Sequence, residues 1–161
     1  MPDLLVCLPD LPPLAPALEP LRAEGIFIRR PHPWEQTPLR QFILSHFQAG
    51  WADETSVAFH HQPITAYVAM KDQQILGFAA YECSRRNYFG PTGVDPSMRG
   101  KGVGKALLLA SLAGLRDLGY TYCVIGGAGP VEFYQKAVGA IVIPFRDGRG
   151  IYDLQEEPGL R

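Results

Sequence analysis

Apolar and polar positions follow two different periods along this chain. Leu39, Phe42, Ile43, His46 and Phe47 recur at three- and four-residue spacing, the face of an amphipathic helix that stops at Gly50. A shorter helix is predicted over residues 52–60. Residues 64–70 and 75–82 instead read as strands, joined by Lys71-Asp72-Gln73-Gln74 at hairpin length. Ile26-Phe27-Ile28 predicts an earlier strand, and residues 88–94 a third member of the meander. In that third strand Gly90, Pro91 and Gly93 are poor ladder residues, so regular pairing is expected to stop there. Residues 102–118 form the strongest helical pattern, with Val103, Ala106, Leu107, Ala110, Leu115 and Leu118 expected inward and Gly119 as its stop. A buried strand over 122–125, a short helix opened by Pro130, and a closing hairpin of Ile141-Val142-Ile143 with Ile151-Tyr152-Asp153-Leu154 complete the pattern. Strands and helices in this order predict an α/β (α+β) fold with a mixed, mostly antiparallel central sheet flanked by helices.

The first 25 residues break the pattern with Pro2, Pro9, Pro12, Pro13, Pro16 and Pro20. Leu4, Leu5, Val6 and Leu8 suit a short strand and Leu14 to Ala23 a proline-interrupted helix. These residues read as an arm packed on a domain spanning 26–161.

Composition narrows the function classes. A chain of 161 residues with 47% apolar content and a net charge of −1 suits one domain with a sizeable core, and does not describe a basic nucleic-acid binder. No apolar run approaches roughly 18 uninterrupted residues, so no membrane span is expected. Met1-Pro2-Asp3 lacks the basic region of a secretory leader, which points to a cytoplasmic protein. Cys7, Cys83 and Cys123 lie in apolar segments and read as core thiols. His32, His46, His60 and His61 lack metal-ligand spacing, so no metal is expected.

The chemistry concentrates in Gly93-Val94-Asp95-Pro96-Ser97-Met98-Arg99-Gly100-Lys101-Gly102-Val103-Gly104-Lys105-Ala106-Leu107. Gly100, Gly102 and Gly104 carry no Cβ, so backbone N–H groups can converge on phosphate oxygens where a helix dipole favours negative charge. Arg99, Lys101 and Lys105 add positive charge. A Walker loop is excluded because Arg99 stands where its first Gly belongs and Ala106 replaces its hydroxyl. A dinucleotide fingerprint is excluded because its third Gly would fall on Lys105 or Leu107.

The pattern Arg99-x-x-Gly102-x-Gly104 after a Val-x-Pro turn resembles the coenzyme A signature of the GCN5-related N-acetyltransferases, and Phe133-Tyr134-Gln135-Lys136 before Gly139-Ala140 resembles that family's aromatic-Tyr-x-Lys-x-Gly segment. The resemblance covers roughly Ile26 to Leu154. It implies the acyl-CoA N-acyltransferase fold, whose sheet splays in a V that takes the pantetheine arm of acetyl-CoA. It implies cosubstrate contacts from Thr92, Val94, Arg99, Gly100, Lys101, Gly102, Val103, Gly104 and Lys105. Val94 N–H would polarise the thioester carbonyl and Tyr134 would protonate the departing thiolate. Glu82 is the expected general base. Glu35, His46, Asp53, Glu54 and His60 sit on the early helices that line the acceptor pocket in the family.

The implied reaction is acetyl transfer to a primary amine by direct attack. The Gly126-Gly127-Ala128-Gly129-Pro130 and Phe89-Gly90-Pro91-Thr92-Gly93-Val94 stretches resemble a bacterial subgroup associated with amino sugars, so a glucosamine-type amine is the first expected acceptor. The expected partner is thus a small-molecule amine, with no nucleic acid or membrane, and a homodimer stays open. A catalytically inactive coenzyme-A-binding sensor is the alternative reading, and a structural subunit a third.

Overall fold

A computed structural model describes residues 1–155. The strand-like runs assemble one seven-stranded sheet from β1 (Leu4–Cys7), β2 (Phe27–Arg29), β3 (Ala66–Lys71), β4 (Gln74–Tyr81), β5 (Tyr88–Val94), β6 (Tyr122–Ile125) and β7 (Ile141–Val142). Their spatial order is β2-β3-β4-β5-β6-β1-β7, and β5–β6 is the parallel contact in an otherwise antiparallel sheet. The predicted β3–β4 hairpin closes on Lys71 opposite Gln74, with Asp72 and Gln73 both in the left-handed region at φ 48° and 63°. Two central residues with positive φ match the twist of the flanking strands.

Helices cover both faces: α1 (Ala15–Ala23), α2 (Gln36–His46), α3 (Ala49–Ser56), α4 (Val103–Asp117), α5 (Val131–Val138) and α6 (Ile151–Gln155). Strand alternation divides the core between them. Val68 and Phe78 pack with Leu39 and Ile43 of α2 and Ala52 of α3. Their neighbours Ala69 and Ala79 pack on the other side with α4, beside Tyr134 of α5. The early helices and the α4–α5 pair therefore lie on opposite faces.

Three expectations change. The first 25 residues, expected as an arm lying on the domain, enter the sheet itself: Leu4 pairs with Ile125 and Val6 with Cys123 on one side, and Leu4 with Val142 on the other. Leu4, Val6 and Leu8 are fully buried. β7 pairs with β1 on one side and is the terminal strand, and residues 151–154 do not pair with its outer edge. The expected closing hairpin is absent, and Ile151–Gln155 is a short helix. Leu118, expected inward, stands one residue past α4 and is exposed.

Close packing of α4 on the sheet yields a stability prediction. Tyr81 is 1% exposed and its hydroxyl accepts from Arg30 Nη1 at 2.8 Å, while the same guanidinium donates to Ile64 O. A Cβ on Gly114 would stand 2.7 Å from Tyr81 Cζ. Gly114→Ala is expected to destabilise the fold by about 1–3 kcal/mol through overpacking. Denaturant unfolding checks this, with Gly50→Ala, where an added Cβ meets open space, as the near-neutral comparison.

Candidate active site

The parallel β5–β6 ladder is short. Tyr88 pairs with Val124 and Phe89 with Ile125, and no pairing continues beyond Gly90, whose φ is +122°. The two strands diverge from that point and frame a cleft of about 740 Å³. Asp95 N–H donates to Leu76 O at 2.8 Å, toward β4. By strand alternation Gly93 points the same way, while the backbone groups of Thr92 and Val94 point to the open edge. The Thr92 hydroxyl is occupied with Phe78 O at 3.0 Å.

The glycine loop lies at one end of this cleft. Asp95 caps the turn before it, its Oδ1 accepting from Ser97 N at 2.8 Å and from Ser97 Oγ at 2.7 Å. Gly100 and Gly102 have φ of +77° and +87°, and Gly102 is the N-cap of α4 without any side-chain cap. The first N–H groups of α4 are thus left without side-chain acceptors at a helix end that attracts anions. A Cβ on Gly100 or Gly102 would meet nothing within 4 Å, and on Gly104 only Val94 Cγ2 at 3.6 Å. That vacant space suits a bound anion's approach to the backbone.

The structure sorts the expected contact residues. Thr92, Val94, Arg99, Gly104 and Tyr134 line the cleft. Lys101, Gly102 and Lys105 line a neighbouring groove of about 320 Å³, whose other wall is Pro12, Pro13, Pro16 and Pro20. Val103 faces the core at 1% exposure, so its side chain is structural. Gly100 is exposed beside the loop.

Tyr134 occupies the α4–α5 face of the cleft. Its ring stands edge-on to Phe89 at 6.3 Å and to Phe133 at 5.1 Å. Its hydroxyl has no hydrogen bond to another described residue, and burial pushes the phenol up to about 12. Glu82 lies elsewhere: its φ is +61°, and its carboxylate accepts from Asn87 N–H and from Tyr120 Oη at 3.2 Å. It does not line the cleft and serves to hold the turn into β5.

The candidates on the early helices also separate. Glu35 is held by Arg29 through two 2.7 Å bonds, which lower its carboxyl to about 2. Asp53 pairs with Arg40 on the surface at 2.7 Å, and His46 Nδ1 meets Phe42 O at 2.9 Å. His60 is exposed. Glu54 alone of this group lines the cleft. Burial raises its carboxyl above the usual range, against opposing contributions from the Ser84 hydroxyl and Arg85.

Residues not singled out by the sequence complete the walls. Trp51 stacks on Phe47 at 5.4 Å, and Tyr152 packs where a Cβ on Gly126 or Gly127 would lie. Asp3 holds this end together, its Oδ1 accepting from Gly127 N at 2.8 Å and its Oδ2 from Ile151 N at 2.7 Å. Trp51 gave no signal in the sequence, because Phe47 ends α2 and Trp51 lies in α3, so their stacking is a contact between elements. Asp3 and Tyr152 gave none, being far from the loop in sequence. Among the described residues no group of three His, Cys, Asp or Glu comes together as a metal site, and no helix is long and apolar enough to cross a membrane.

Comparison with known proteins agrees with this architecture. The model of the acetyltransferase (GNAT) domain family matches residues 62–137, while no curated protein matches the chain. Among solved structures, the GCN5-related glucosamine N-acetyltransferase region of a fungal multi-domain GH3 β-N-acetylglucosaminidase superposes with TM-score 0.71 at 16% identity, covering 88% of this chain and 19% of that one. A GCN5-related N-acetyltransferase from Sphaerobacter thermophilus gives 0.67 at 19% identity over 88% of this chain and 48% of its own. This chain therefore spans under half the length of either. A GNAT family acetyltransferase from Brucella melitensis, in complex with acetyl-CoA, gives 0.55 at 22% identity over 77% and 90%. These structural likenesses are of fold, and the family match falls on the segment that builds both the glycine loop and the Tyr134 face. Residues 62–137 thus match the acetyltransferase (GNAT) domain family, and the chain has the fold of the GCN5-related N-acetyltransferases.

Proposed function

We propose that the protein transfers an acetyl group from acetyl-CoA to the primary amine of a small molecule by direct attack. The observation that carries this reading is a cleft passing through the sheet, with Tyr134 on the α4–α5 face and Glu54 on the α2–α3 face. Two reactants can thus approach one point from opposite sides, which supplies the orientation a bimolecular transfer needs. Acetyl-CoA brings the activated thioester. The α4 N-terminus with Arg99 receives its pyrophosphate, and the open Thr92 and Val94 backbone groups receive its amide-bearing arm. Val94 N–H, already directed at the open edge, is the donor that polarises the carbonyl.

Proton traffic follows from the same two faces. Glu54 takes the proton of the attacking amine, directly or through one water, and Tyr134 gives one to the thiolate as it leaves. We assign the base to Glu54 rather than Glu82 because Glu54 is the carboxylate that reaches the cleft. A sensor that only binds the coenzyme has no use for a carboxylate and an unpaired phenol on opposite sides of it.

Calorimetry and thermal shift test the coenzyme half, with acetyl-CoA expected to stabilise the protein well beyond free adenosine. Equal shifts would count against the assignment. Gly104→Val is expected to weaken acetyl-CoA binding about tenfold or more, or about 1.4 kcal/mol, because its methyls enter the space beside the first N–H groups of α4. Unchanged affinity in a folded Gly104→Val protein sinks the cradle. Thiol release with a panel of amines, glucosamine included, tests the transfer.

A further inference from the structure

Resting on the acetyl-transfer reading, we propose that the acceptor is a monoamine carried on an aromatic or flat apolar stem, of the arylalkylamine class, rather than an amino sugar or a polycation. The acceptor side can be identified from the alternation of the strands. Cys123 and Ile125 pack on the α4 side, so Val124 and the Cβ direction of Gly126 face the α3 side. Phe89 likewise packs with α4, which puts its neighbour Tyr88 on the α3 side. A Cβ on Gly126 would lie 3.0 Å from both Tyr88 and Tyr152, so both rings stand on the face where Glu54 and Trp51 enter.

The two arms of the V then present aromatic walls. On the β5 arm, the Phe47 ring lies flat against Gly93, its Cε2 2.7 Å from where a Cβ would be, and is wedged against Phe78 at 5.9 Å and Trp51 at 5.4 Å. On the β6 arm, Tyr152 rests on Gly126 and Gly127 and is backed by the Arg85 guanidinium 5.6 Å from its ring centroid. Rigid rings at a cleft favour a flat apolar guest, which gains ring contacts beyond burial alone.

Charge limits the guest further. Glu54 is the one carboxylate lining the cleft among the described residues, enough to attract a single ammonium. Arg85 acts on Glu54 and sits over Tyr88 and Tyr152, so a second cation on the acceptor would meet repulsion without a second acid to pair with. A sugar ring faces a different obstacle. Besides Glu54, the polar groups on this side among the described residues are Gln48, the Tyr88 and Tyr152 hydroxyls and the Arg85 guanidinium set over the rings, and a sugar hydroxyl buried without a partner among them is penalised.

The test measures thiol release from acetyl-CoA with 2-phenylethylamine, tryptamine, glucosamine and spermidine, alongside calorimetry of acetyl-CoA binding. The two arylalkylamines are expected to exceed glucosamine and spermidine by at least about tenfold in kcat/KM. Trp51→Ala is expected to raise KM for 2-phenylethylamine about tenfold or more with acetyl-CoA affinity unchanged, and Trp51→Phe to restore it. A preference for glucosamine or spermidine, equal rates across the panel, or no turnover of any amine by a protein that binds acetyl-CoA overturns the proposal. Failure to bind acetyl-CoA overturns the acetyl-transfer reading itself, and the calorimetric arm tells the two failures apart.

Discussion

Replacing Tyr134 by Phe is expected to lower turnover by about 10²-fold or more while acetyl-CoA affinity and folding change little. The ring is buried against Phe89 and Phe133, so Tyr134→Phe keeps the packing and removes only a hydroxyl that has no described protein partner. No buried acceptor is stranded by the change, which removes the usual route from hydroxyl loss to instability. Burial holds the phenol at about 12, so it carries its proton at every working pH and adds no alkaline limb to the rate. A thiol near 8.5 in water is itself raised in the same desolvated setting, which narrows the gap the proton crosses. Steady-state kinetics with a competent amine, paired with calorimetry, separates loss of kcat from loss of binding. Full activity in Tyr134→Phe across the pH range would remove this residue from the chemistry.

Glu54→Gln carries the second large effect, again about 10²-fold or more in kcat/KM near neutral pH. Only the ionised carboxylate can accept the amine proton. Burial raises the Glu54 carboxyl, so wild-type activity should climb with pH as that raised group ionises. Glu54→Gln should lose that climb and keep only the limb set by the amine's own deprotonation, so its deficit shrinks as pH rises toward the amine pKa. The pH profile of kcat/KM reads both features. Glu82→Gln is the informative contrast: it loosens the turn held by Asn87 and Tyr120, and should lower stability while leaving the shape of the pH profile intact. If Glu82→Gln instead abolishes the acid-side climb, the base assignment moves to Glu82.

What could be read without coordinates was whatever depends on near neighbours. The period of Leu39, Ile43 and Phe47, the β3–β4 turn at Asp72-Gln73, the broken ladder at Gly90-Pro91 and the glycine loop before α4 are all local. In each, backbone preference or side-chain spacing decides the outcome within a few residues. The family resemblance of Arg99-x-x-Gly102-x-Gly104 and of the Tyr134 segment is local in the same sense.

Long-range competition decided the rest. Both Leu4–Cys7 and residues 151–154 have the composition of a short strand, and nothing in either segment says which will join the sheet. Leu4 and Val6 bury completely between β6 and β7, while Ile151–Gln155 folds as a helix. Glu54 and Glu82 likewise differ little as residues. Glu82 sits at a strand end in a left-handed turn that spends its carboxylate on Asn87 and Tyr120, while the α3 helix phase delivers Glu54 to the gap between β5 and β6. The sequence by itself therefore determined most of the elements, the glycine loop and, through the family resemblance, the candidate acid, because each is written in a short contiguous stretch. Only the tertiary structure decided that Leu4–Cys7 enters the sheet between β6 and β7 and that Glu54 rather than Glu82 lines the cleft, because those depend on what distant segments bury against each other.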